Sequence, residues 1–117
     1  MPIKSRSDKT TKALVTIYEE VAPQLYALQN EMRDLAKKKP EATMSKGKVL
    51  LINRVLSDIK SNFSAESGGK YLGILDEETL PQLSDAVLVI AQHAALLTQF
   101  QKRYFVWDNG EEKWLVS

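Results

Sequence analysis

Three stretches of the chain repeat apolar residues at helical spacing, with turn residues between them. The densest runs from Ser84 to Tyr104 without Gly or Pro. One stripe on it is Ala86, Ile90, His93, Leu97, Phe100 and Tyr104; Val87, Ala91, Ala94 and Gln101 lie beside it. Apolar positions thus cover more than a third of the circumference, as expected of a helix packed on more than one neighbour. Ser84 and Asp85 supply its start signal.

A second pattern opens near the N-terminus. Leu14, Tyr18, Val21, Leu25, Leu28, Met32 and Leu35 form a heptad seam. Ser7 or Asp8 can cap the helix that carries it. Pro23 lies within the seam but leaves its phase unbroken, so the spacing predicts one helix kinked at Pro23 over residues 9–38. Such a helix would be about 45 Å long, and a seam of that length needs an equally long partner surface. Lys37, Lys38, Lys39 and Pro40 end it: the cations suit the negative end of the helix dipole, and the proline stops continuation.

The third pattern, over residues 46–63, buries Val49, Ile52, Leu56, Ile59 and Phe63, with Leu51 and Val55 widening the stripe. Thr43 or Ser45 can cap it. Residues 64–69, SAESGG, read as a loop. In the next segment Tyr71, Leu72, Ile74 and Leu75 suggest a short helical turn plugged into the core. Asp76 and Thr79 suggest a second, within an insert spanning residues 71–80. At the C-terminus the period changes. Asn109-Gly110 separates two apolar-aromatic runs, a hairpin signal across which Trp107 and Trp114 could pair.

These elements predict a mainly α fold: a three-to-four-helix bundle with a long N-terminal helix and a short C-terminal β-hairpin. The domain reading is a disordered basic arm over residues 1–7, a bundle over 8–104 and a hairpin or tail over 105–117. Leu14, Val21, Leu28, Ile52, Leu56, Ile59, Ile90, Leu97 and Phe100 are the expected core.

Composition alters the picture in a few respects. A chain of 117 residues with 44% hydrophobic residues can build one core without staples. It has no cysteine, which removes disulfides, thiolate nucleophiles and cysteine metal sites. The first residues carry no apolar leader, and the longest apolar run is interrupted by Gln92 and His93. The expectation is a soluble, cytoplasmic protein that does not enter a membrane. The net charge of +1 divides into +5 over residues 1–60 and −4 over residues 61–117. Opposite charges of this kind can attract within one fold or across a dimer.

Chemical candidates are few. His93 is the sole histidine and falls on an apolar stripe, where a packed side chain is the usual role. Asp76, Glu77 and Glu78, with Asp85, could gather on a cation, but their spacing matches no calcium loop, and acids favour helix starts in any case. Gly68-Gly69-Lys70 lacks the rest of a phosphate loop. No cofactor is expected. The leading expectation is a non-enzymatic adaptor, regulator or immunity-like protein that binds another protein and self-associates as a homodimer, with Tyr18, Trp107 and Trp114 as contact residues. The alternative is a nucleic-acid-associated regulator using Lys37, Lys38, Lys39, Lys46, Lys48 and Arg54 on phosphate. An enzyme or metal protein built on His93 with Asp76, Glu77 or Asp85 is a third reading.

Overall fold

The computed structural model describes residues 8–117, so the expected basic arm lies outside the described residues. Three helices, α1 (Lys12–Lys38), α2 (Lys46–Phe63) and α3 (Leu83–Tyr104), are followed by strands β1 (Phe105–Asp108) and β2 (Glu111–Trp114). The mainly α bundle with a C-terminal hairpin is therefore the fold of this chain. It is elongated, with principal extents of 49 × 28 × 24 Å.

The heptad seam of α1 is used within the chain. Tyr18, Val21, Leu25 and Met32 are buried, and α1 packs most extensively on α3. Leu14, Leu28 and Leu35 are half-buried at the edge of the core, so Leu14 and Leu28 are less enclosed than the pattern suggests. The Tyr26 hydroxyl and Thr98 Oγ1, 2.9 Å apart, pin the middle of α1 to α3. Helix α1 passes through Pro23, which lies on its exposed side. There water can satisfy the carbonyl that proline leaves without a donor.

Helix α1 starts later than the sequence suggests. Thr11, not Ser7 or Asp8, is its cap and accepts from the Leu14 amide at 3.1 Å. Thr10, just before it, is drawn into extended pairing. Thr10 bridges Val116 in parallel, with Thr10 N donating to Leu115 O at 2.9 Å and Ser117 N to Thr10 O at 3.0 Å. Asp8 instead receives a two-pronged contact from Arg103 at 3.0 and 3.1 Å. Long-range pairing has overridden a local capping signal.

Helix α3 begins at Leu83, and Gln82 at its cap gives no side-chain bond. The loop between α1 and α2 supplies that function. Leu83 N donates to Ala42 O at 2.9 Å, and Ser84 N to Pro40 O at 3.0 Å. Residue 43 thereby bridges residue 82.

The expected helical insert is mostly absent. A 3-10 turn covers only Gly69–Tyr71, after which residues 72–75 run without helix. Leu72 and Leu75, three residues apart, are buried, while Tyr71 and Ile74 are exposed. Asn53 of α2 holds Leu75 there. Its amide donates to Leu75 O at 2.9 Å, and its carbonyl accepts from Leu75 N at 2.9 Å. A side chain that satisfies both backbone groups of one residue removes the need for helix at that point. Asp76 caps no second helix; its Oδ1 accepts from the Glu78 and Thr79 amides in a turn. A Cβ at Gly69 would lie 2.4 Å from Phe63 O, so only glycine permits this close return of the chain onto the end of α2.

The hairpin turns at Asn109 and Gly110, both with positive φ, as a two-residue turn of this kind requires. Its register opposes Phe105 to Trp114 and Trp107 to Glu112, so the two tryptophans are not directly paired. Trp114 folds back between Tyr18, Phe100 and Phe105, with ring centroids 5.3, 5.7 and 4.9 Å away.

The Asn53 clamp gives a direct test. In an Asn53→Ala variant the Leu75 amide and carbonyl lose their partner in a buried setting, and we expect a loss of about 2–3 kcal/mol. Urea denaturation followed by circular dichroism should show this as a lower midpoint. An unchanged midpoint would mean that water replaces the clamp without cost.

Candidate interaction surface

The side chains singled out from the sequence fall into separate places. Tyr18 is buried, its ring stacked on Phe100 at 5.5 Å. Burial raises its hydroxyl pKa, and nearby Tyr26 and Glu19 add to the effect. Trp114 is half-buried in the same aromatic cluster. Trp107 stands 70% exposed on β1, opposite Glu112 and near the hairpin turn. The three therefore share no open surface.

Lys37 and Lys38 end α1, Lys39 is its cap, and Lys46 and Lys48 open α2. All are exposed and lie at one end of the bundle, because a short loop reverses the chain between the two helices. Arg54 lies farther along α2, in a shallow depression with Leu50, Ser57, Asp58 and Glu77. Its setting is thus part acidic, and Glu41 interrupts the lysines in the loop.

His93 is fully buried. Its Nδ1 lies 2.9 Å from Val89 O, and since a carbonyl can only accept, that nitrogen carries the proton. Nε2 is buried without a hydrogen-bond partner. The Leu56 carbonyl nearby could accept only from a protonated ring. Burial lowers the pKa of His93; the Val89 and Leu56 carbonyls oppose this, and Lys60 reinforces it. The ring is a neutral core residue shielded from solvent.

Among the acids, Glu77 accepts from Asn53 at 3.2 Å. Asp76 is held below the ordinary carboxylate range by the Thr79 and Glu78 amides. Among the described residues no three His, Cys, Asp or Glu side chains converge as metal ligands.

One open apolar groove is a feature the sequence pattern only hinted at. Gln24, Ala27, Leu28 and Glu31 of α1, with Leu51 and Val55 of α2, line a groove of about 260 Å³. It continues past Gln24 and Val55 into a more polar stretch with Ile17, Glu20, Asp58 and Asn62. Leu51 is 53% exposed and Leu50 43% exposed. The sequence signal was the excess width of the α2 stripe: Leu51 and Val55 extend it beyond what one buried face needs. Asn53 was also missed, although it sits between Val49 and Leu56 on the buried side, where a polar side chain implies a specific partner.

By length and composition α3 could cross a membrane, with a mean hydropathy of 1.3. Here Leu83, Ala86, Ile90, His93, Ala94, Leu96, Leu97, Phe100 and Tyr104 on it are buried in the bundle. No family model, curated protein or solved structure matches this chain.

His93 makes stability depend on pH in a defined direction. Its folded pKa lies below the ordinary 6.5, so the unfolded chain takes up the proton first on acidification. The contribution is whole above about pH 6.5 and is lost as pH falls from there through the folded value. We expect the urea midpoint of the wild type to drop between pH 7.5 and 5 by more than that of His93→Leu. Equal drops would show that His93 takes up its proton equally in the folded and unfolded states, so that burial does not lower its pKa.

Proposed function

We propose that this protein is a non-enzymatic helical module that works by binding protein through the flank shared by α1 and α2. The observation that carries this reading is the groove around Leu51. It combines half-exposed apolar side chains with a polar rim at Gln24 and Glu31, the composition of a binding surface whose centre is apolar and whose edge stays wet. Leu88 is exposed as well, but on α3, where Asp85 and Gln92 flank it at helical spacing. Trp107 at the hairpin is a secondary contact residue, since an exposed tryptophan supplies large apolar area at small entropic cost. The enclosed position of His93 favours a structural role over catalysis.

A second reading is supported by the lysines. Lys37, Lys38, Lys39, Lys46 and Lys48 project from one end, an arrangement suited to phosphate. It is the weaker reading, because phosphate contacts alone give salt-sensitive association with little selectivity.

Crosslinking in extract of the source cells, with tagged protein as bait, separates the two. Under the leading reading the crosslinked protein is lost with Leu51→Glu and retained when Lys37, Lys38 and Lys39 are changed to Ala. Retention of nucleic acid that disappears with the lysine changes, together with indifference to Leu51→Glu, would replace it with the second reading.

A further inference from the structure

The α1/α2 flank carries its charges in a definite order. Along α2, Lys48, Leu51, Val55 and Asp58 occupy one ridge at spacings of three and four residues. A cation, two apolar side chains and an anion follow one another. The order is symmetric about the level of Asn53. If a second α2 is turned through 180° at that level and laid antiparallel, Leu51 of each copy faces Val55 of the other. Lys48 of each copy then faces Asp58 of the other. On the groove wall contributed by α1, Glu20 lies with Asp58 at one end, Glu31 lines the stretch with Leu51 and Val55, and Lys38 ends the helix beyond them.

The position of Lys48 needs a reason of its own. The start of a helix carries partial positive charge and favours acids. The first turn of α2 has no acid and bears Lys46 and Lys48 instead. A carboxylate brought by another molecule would reverse that local penalty.

We infer that the partner of this flank is a second copy of the chain, with α2 packed antiparallel on α2 and Leu51 of each copy seated in the other's groove. Lys48 and Asp58 pair at both ends of the contact. This inference rests on reading the flank as a protein-binding surface, and it names the occupant. A helix ridge that serves an unrelated partner has no need to match its own reverse, whereas a twofold contact requires that match. The charges set the antiparallel register, and Leu51 and Val55 supply the apolar burial.

Sedimentation equilibrium on the purified chain, from about 1 μM to about 1 mM, tests it, because that range spans weak and moderate self-association. The expected result is a species of twice 13.2 kDa that dissociates on dilution. Leu51→Glu should weaken the dimer by about 100-fold or more, since it places a charge at the centre of the contact. Lys48→Glu and Asp58→Lys should each weaken it, and the double variant should restore it, a result that a folding defect would not give. A wild type that stays monomeric throughout overturns the proposal, as does a dimer indifferent to Leu51→Glu or a double swap that fails to restore. A monomeric wild type that still crosslinks to a foreign protein through Leu51 would leave the binding role standing without the second copy. Loss of both removes both.

Discussion

The ring of Phe100 is where the fold is tied together. It stacks on Tyr18 of α1, meets Phe63 at the end of α2 edge-on at 5.1 Å, and touches Tyr104 of its own helix. Trp114 of β2 closes the remaining side, and Phe105 of β1 packs on Trp114. All three helices and the hairpin therefore depend on one buried ring. A side chain enclosed to this degree is worth about 3–5 kcal/mol against alanine. A two-stranded hairpin is marginal alone; this one is stable because Trp114 joins that cluster and because the Leu115 amide bonds Tyr104 O at 2.7 Å.

The opposite end of the bundle is fixed by hydrogen bonds instead. There the loop between α1 and α2 caps α3 with main-chain carbonyls, and Asn53 fixes the backbone at Leu75 before it. With the α1 seam turned inward onto α3, the surface left open is the outer flank, where α1 and α2 meet less extensively. The same partition explains why Leu28 and Val55 are half-buried: each lies at the border between core and groove. Internal packing thus determines which apolar side chains remain available to a partner.

Periodicity revealed most of this architecture. The helix of residues 46–63 and the hairpin turn at Asn109-Gly110 were legible because spacing and turn chemistry agree locally. The start of α1 was not, because Asp8 and Thr10 answer to Arg103 and Val116, partners distant in sequence. The segment around Leu75 misled for a related reason: its apolar residues fit a helical turn, but Asn53 from another element dictates its backbone. For the surface, residue type indicated tryptophan and tyrosine as contacts. Only the fold distinguishes Tyr18 and Trp114, whose rings pack internally, from Trp107, which faces solvent. The groove is harder still to read, since Leu51 looks like one more core leucine until the positions of α1 and α3 are known.

In this packing the α1 seam is satisfied within a single chain. Amide hydrogen exchange on the chain, diluted until it is monomeric, tests this most directly. Amides over residues 18–32 of α1 and 90–100 of α3 are expected to stay protected and exchange together, as one cooperative unit around Phe100. Rapid exchange along α1 in the monomer, with α3 still protected, would contradict it and show that the seam needs another chain to bury it.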